Sequence, residues 1–209
     1  VTEQRSRSAA RGASAREGDG RRAETRLKVF AAAVEVIAEQ GYTAATVDAI
    51  AERAGVAKGT VFYNFGSKEA LFGALLEHGI QQLADALAGA AEVARPPLEA
   101  LDAVVMAQLR FLEEYGAFAR VLLAEIWRTA WQEAVAALRE RVLGVYLDVL
   151  RRAVSEGVLR EDLDVDTAAT AVFGMVLTVS IERRALHPDR PVEQVHATLV
   201  DLLHGRLSG

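Results

Sequence analysis

The chain has 209 residues, half of them hydrophobic (51%) and a quarter charged (25%), the ordinary balance of a globular protein of one or two domains. It has no cysteine, which excludes disulfides, thiolate metal sites and cysteine nucleophiles, and its four histidines are too few for a histidine-rich metal centre. The net charge of −5 divides unevenly, since residues 1–78 carry a net +1 with all three lysines (Lys28, Lys58, Lys68) and residues 79–209 carry −6, so a polyanion should prefer the N-terminal part.

Residues 1–21 are rich in Arg, Ser, Ala and Gly without apolar periodicity and read as a disordered arm. An arm that touches DNA is the alternative. A helical pattern starts at Arg22 with the stripe Val29, Ala33, Val36, Ile37 and Ala38, and Gly41 closes it. Thr46 stands as the N-cap of a second helix that Gly55 ends. A third, short helix is expected from Lys58 to Asn64. Ser67 caps a fourth that carries Phe72, Leu76, Ile80, Leu83 and Leu87, and Pro96-Pro97 interrupts the chain. Longer helices follow at about 98–114 and 116–129. The next begins near Trp131, with Val135, Leu138, Val142, Val145 and Val149 in alternating steps of four and three, and Gly157 ends it. The last two are expected at about 165–186 and 191–206. With no convincing strand, the expected fold is all-α, about nine helices: an arm over 1–21, a helix-turn-helix domain over 22–72 and a helical domain over 73–209. No secretory signal is visible near the start. The longest apolar run, 168–181, makes a helix of about 21 Å, short of the roughly 30 Å of a bilayer core, so no membrane span is expected.

The window Val47 to Gly66, VDAIAERAGVAKGTVFYNFG, carries the functional signal. Ala51, at its fifth position, is small where two helices cross. Gly55, at the ninth, supplies a left-handed turn. Val56 and Val61 plug the angle between the helices, and Ile50 anchors the first of them to the 29–38 stripe. This is a helix-turn-helix. Its first helix should cross the DNA backbone, and its second should enter the major groove N-terminus first.

From Thr46 to Leu71, through the AGVAKGTVFYNF segment and SKEAL at 67–71, the sequence resembles the TetR family of bacterial transcriptional regulators. The resemblance in motif covers about residues 24–76; beyond it only the run of helices is similar. It implies that Thr46 caps its helix within reach of a phosphate and that Lys58, Gly59 and Thr60 open the recognition helix. It further implies that Tyr63 contacts a phosphate, that Asn64 stands where the family often has His, and that Lys68 binds a phosphate. Phe62 and Phe65 read as packing residues.

The middle helices resemble the region where the family holds a small-molecule pocket. The bulky residues Met106, Phe111, Tyr115, Phe118, Trp127, Trp131 and Tyr146 are candidates for its wall, with Arg110, Glu125 and Arg128 as polar groups. Aromatic residues at helical spacing are, residue for residue, more often core. Val172, Met175, Val176 and Val179 lie on a helix apolar on nearly all sides, and Val195, Leu199 and Leu202 form a stripe on the last helix. The resemblance implies that these two helices pair with their symmetry mates; the alternative is core within one chain.

The expected function is a ligand-responsive DNA-binding transcriptional regulator, a repressor that grips a palindromic operator as a homodimer and is released by a small molecule. Its expected partners are double-stranded DNA, a second copy of itself and an unidentified effector; no cofactor is expected, and the location is cytoplasmic. An enzyme is not expected, because no phosphate loop or nucleophile elbow is present. Glu193-x-x-His196 has the spacing of half a di-iron ligand set, but no second such pair exists. A helical-bundle interaction protein without regulated DNA binding is the remaining alternative.

Overall fold

The computed structural model describes residues 2–93, 96–125 and 132–205, and among these every regular element is a helix. The elements are α1 (Thr2–Ala44), α2 (Val47–Ala54), α3 (Lys58–Phe65), α4 (Lys68–Val93), α5 (Pro97–Glu114), α6 (Gly116–Glu125), α7 (Gln132–Ala137), α8 (Gly144–Ser155), α9 (Val165–Leu186) and α10 (Val192–Leu203). A π-helical segment, Leu138–Leu143, joins α7 to α8. The chain forms two compact units, 1–75 and 76–209, whose boundary falls within α4.

The disordered arm expected over 1–21 is not what the structure shows, because α1 runs from Thr2 and is broken only at Gly41, where φ is 78°. The absence of apolar periodicity argues against packing, not against helix. The Ala, Arg, Glu and Gln of this stretch are strong helix formers that a following packed helix can nucleate.

In the N-terminal unit α1 packs on α2, and α2 on α3. Val29, Phe30, Ala33, Val36 and Ile37 of α1 meet Ile50 and Ala51 of α2, Val61 of α3 and Leu71, Phe72 and Leu75 of α4 in the core. Ala38, expected on the same stripe, is exposed. Thr46 Oγ1 accepts the Ala49 N–H at 3.1 Å, so α2 starts on a satisfied cap. It ends at Gly55 in a left-handed conformation (φ 67°, ψ 32°), and the next N–H, that of Val56, returns to the Ala51 carbonyl at 3.0 Å. Ser67 caps α4 in the same manner, its Oγ accepting the Ala70 N–H at 3.0 Å.

The C-terminal unit is built around α5, which packs against α6, α8, α9 and α10. A buried polar chain ties three of these helices together. Tyr146 Oη on α8 donates to Gln108 Oε1 at 2.5 Å, and Gln108 Nε2 donates to the Phe173 carbonyl of α9 at 3.1 Å. Burial drives the Tyr146 phenol well above its ordinary range. At the other end of α9 the buried Arg183 guanidinium donates to Glu113 Oε1 at 2.9 Å and to the Arg190 carbonyl at 2.7 Å. The Phe118 ring of α6 sits against Gly79 of α4, where an added Cβ would come within 2.1 Å of Cζ. Only glycine permits that approach. α9 has 22 residues, longer than the apolar run read from sequence, and is long and apolar enough to cross a membrane by length and composition. Here it packs on α5 and α8.

Arg53 clamps α2 to α1 through Glu35 Oε2 at 2.9 Å and Glu39 Oε2 at 2.9 Å. The hydrogen bond from Arg53 holds the Glu39 carboxyl below its ordinary value of 4.5. A depressed carboxylate contributes stability at neutral pH that is lost as pH falls through its folded-state value. Glu39→Gln is therefore expected to melt below the wild type at pH 7, with the gap closing as the buffer is taken under pH 4.5. Thermal melts of the pair across pH check this.

Candidate functional site

The residues singled out in α3 occupy an open surface. Only Val61 of this helix is buried, pressed on α2, while Lys58, Gly59, Phe62 and Tyr63 are presented outward. Tyr63 is 72% exposed. Gly59 has no atom within 4 Å of where a Cβ would stand. α3 starts at Ala57 without a side-chain cap, which leaves its first N–H groups for an acceptor from outside. Lys58 Nζ lies 2.8 Å from Asp48 Oδ2 of α2 and 6.0 Å above the Phe62 ring. Thr60 is half-buried, its N–H on the Ala57 carbonyl at 2.8 Å. Phe65 packs as expected, 5.4 Å from the Phe30 ring. Phe62 does not, being 42% exposed.

Two residues are committed elsewhere than expected. Lys68 donates to the carbonyls of Tyr42 (3.0 Å), Thr43 (3.4 Å) and Ala45 (3.0 Å), and its ammonium stands 4.5 Å above the Tyr42 ring. Three carbonyls fill its three N–H donors, so Lys68 closes the end of α1 instead of offering a free charge to phosphate. Asn64 turns its amide back to the Thr60 carbonyl at 2.8 Å, which a short polar side chain does readily within a helix. Both partners lie in the folded backbone, and no motif position announces them.

Two arginines that sequence reading passed over join this face from α1. Arg22 donates to Tyr63 Oη and stacks over its ring at 5.1 Å. Arg26 lies 4.6 Å above the Phe65 ring and donates to the Asn64 carbonyl at 3.3 Å. Their only sequence signal was membership of the basic run before the α1 stripe. The contacts themselves span about forty residues.

This geometry, an exposed helix braced on a capped partner with Arg22 and Lys58 beside it and an uncapped N-terminus, is suited to a DNA groove. Residues 29–75 match the family model of bacterial regulatory proteins of the tetR family, and residues 94–181 match that of the tetracyclin repressor-like C-terminal domain. The HTH-type transcriptional repressor KstR2 of Mycobacterium tuberculosis is 31% identical over 137 residues, 64% of this chain and 68% of that protein.

The chain belongs to the tetR family.

The fatty acid metabolism regulator protein of Bacillus subtilis is 29% identical over 157 residues, 72% of this chain and 78% of its own length. The structure of the fatty acid degradation regulator FadR from Bacillus halodurans superposes with a TM-score of 0.77 at 25% identity, covering 87% of this chain and 98% of that one. This tetR-family chain is a ligand-responsive DNA-binding transcription regulator, not an enzyme, and the interaction-module alternative falls away.

Among the described residues, none of those expected to line an effector pocket borders the two cavities given below. Phe111 and Phe118 are buried in the core, and Tyr146 belongs to the polar chain. Arg110 is exposed and Met106 half-buried. The Glu125 side chain, Trp127, Arg128 and Trp131 lie outside the described residues. A cavity of about 390 Å³ lies instead against the π segment and the start of α9, lined by Arg139, Leu143, Leu147, Asp166 and Thr170. Another of about 380 Å³ lies between α4 and α8, lined by Ala88, Ala91, Val145 and Arg152. Aromatic spacing on a helix records only which face is turned inward, and core and cavity wall share that face.

Of the residues expected at a dimer interface, Val172, Val176, Val195 and Leu199 are buried within the chain and belong to its own core. Met175 and Val179 are half-buried, and Leu202 is 45% exposed. His196 Nε2 is 2.8 Å from the Asp102 carbonyl oxygen, so this ring nitrogen is already used and the metal-ligand reading of Glu193 and His196 loses it.

Lys68→Met should lower stability by about 1–3 kcal/mol, the range for a hydrogen-bonded charge that leaves buried acceptors behind. Tyr63→Ala should leave stability within about 0.5 kcal/mol, as for an exposed site. Denaturant titration separates the two. In gel shifts Tyr63→Ala should weaken binding to all duplexes alike, because phosphate contacts position without specifying.

Proposed function

We propose that this regulator is a repressor that grips a palindromic operator as a homodimer and leaves it when an acyl-bearing small molecule binds residues 76–209. The observation that carries the reading is the outward presentation of α3, with Lys58, Gly59, Thr60 and Tyr63 on one accessible helix. In this reading Lys58 and Thr60 meet base edges, while Thr46, Tyr63 and Arg22 meet phosphates. Asn64, in the last turn of α3, keeps its Oδ1 and one of its two amide hydrogens for DNA. Lys68 supports the site by holding the end of α1.

A single helix of this kind reads few base pairs, so two must be held about one DNA turn, roughly 34–36 Å, or a multiple apart. The outward faces of α9 and α10 suit that task. Ala171, Gly174, Met175, Thr178 and Val179 on α9 and Ala197, Thr198 and Leu202 on α10 are small or apolar residues left exposed or only half-buried by the described chain. Two relatives named as regulators of fatty acid metabolism or degradation support an acyl chain as effector class. The effector acts by binding one of two dimer spacings more tightly, and its effect is bounded by that difference in affinity. A chromosomal target places the protein in the cytoplasm.

Selection of bound duplexes from a random pool should return a palindrome with half-sites about one turn or a multiple apart. Leu202→Asp combined with Val179→Asp should give a folded monomer by sedimentation with operator affinity reduced more than about tenfold. Wild type sedimenting as a monomer while binding a single half-site at full affinity would overturn the dimer. Palmitoyl-CoA should release the selected duplex where coenzyme A alone does not, and equal behaviour of the two would overturn the effector class.

A further inference from the structure

We propose that Asp48 is a positioning residue for sequence reading: its carboxylate holds the Lys58 ammonium as a reader of bases and keeps it from acting as a general binder of phosphates. The inference rests on the proposed docking of α3 and adds to it a residue on the neighbouring helix.

Lys58 is the first residue of α3, a helix with no acid in its first turn and no capping side chain. A cation at that end faces the positive pole of the helix dipole and gains nothing from its own helix. Its partner comes from α2, where Asp48 Oδ2 lies 2.8 Å from Lys58 Nζ. Asp48 sits in the first turn of α2, where the dipole favours a carboxylate, so the anion is stable there in its own right. The neighbouring cation on α2, Arg53, is occupied by Glu35 and Glu39 of α1 and does not compete for Asp48. Both members of the pair remain more than half exposed, at 53% and 66%, so a duplex has access to the ammonium without breaking the pair.

The consequence follows from charge and from donor number. An ammonium has three N–H donors, and Asp48 takes one, leaving two for acceptors such as the O6 and N7 of a guanine. The pair has no net charge, so it releases no counterion on arbitrary DNA and gains only where a base edge accepts what is left. Lysine is otherwise a flexible point charge, and the pairing removes in advance part of the rotamer freedom that base reading would cost. Freed of Asp48, the same side chain reaches any nearby phosphate.

The test compares wild type, Asp48→Asn, Lys58→Met and the double variant on two duplexes, one selected from the random pool and one scrambled at equal length. Asp48→Asn is expected to tighten binding to the scrambled duplex about fivefold at low salt, the scale of one exposed charge pair. Its slope of log affinity against log salt should steepen by about 0.9, one additional phosphate. The selected duplex should not tighten to match, and a repeated selection should show relaxed preference at one position of each half-site. In the Lys58→Met background the Asp48 change should have no effect on either duplex. Equal tightening on both duplexes with preference kept, or an effect that persists without Lys58, would overturn the proposal and leave Asp48 as a simple repelling charge. If Lys58→Met changes binding to neither duplex, the docking of α3 itself is wrong. If it weakens the selected duplex while Asp48→Asn is silent, only the role of Asp48 fails. Asp48→Ser, which keeps a side chain suited to a helix start, repeats the comparison should the Asn variant melt early.

Discussion

The packing of α3 on α2, with Ala51 and Val61 buried, is the constraint on which the functional surface depends. Both residues are buried, and the left-handed Gly55 lets the chain turn from α2 into the segment that leads to α3. A helix of eight residues has no stability of its own in water. α3 exists because Val61 is buried on α2 and Phe65 packs on Phe30, and its other face, with Lys58, Gly59, Phe62 and Tyr63, is left accessible. The brace and the exposure of the site are therefore one fact.

That brace is anchored in turn. Ile50 is fully buried against the α1 stripe, and Arg53 ties the same helix to Glu35 and Glu39. Lys68 closes the end of α1 from the first residue of α4. The lysine that a motif comparison would give to phosphate thus works on the protein's own backbone, an electrostatic substitute for a helix cap. Arg22 and Arg26 hold the opposite side of α3, by stacking on Tyr63 and Phe65. Of these cations, Arg53 and Lys68 brace α1 and α2, Arg22 and Arg26 lie against side chains of α3, and Lys58 pairs with the exposed Asp48.

The C-terminal unit follows a different logic. Its hub, α5, carries a fully buried glutamine whose amide oxygen and nitrogen are both satisfied by neighbouring helices. A buried amide paired at both ends helps specify how α5, α8 and α9 are matched, because a sliding helix would strand polar groups in the core. α9 turns Val172 and Val176 into that core and leaves Gly174, Met175 and Thr178 outward, which explains a composition apolar on nearly all sides.

Helix starts and stops were legible in the sequence because they are local events. Thr46, Gly55, Ser67 and Pro97 act within a turn of their own position, and the helix-turn-helix spacing is set by sterics inside twenty residues. What only the tertiary structure decided was which partner each side chain takes. Lys68 found carbonyls about twenty-five residues away, Tyr63 found Arg22, Lys58 found Asp48, and Val176 and Leu199 are buried within the chain. Periodicity records that a residue faces inward or outward. The identity of the neighbour depends on how the helices are arranged in space, and no window of sequence contains that.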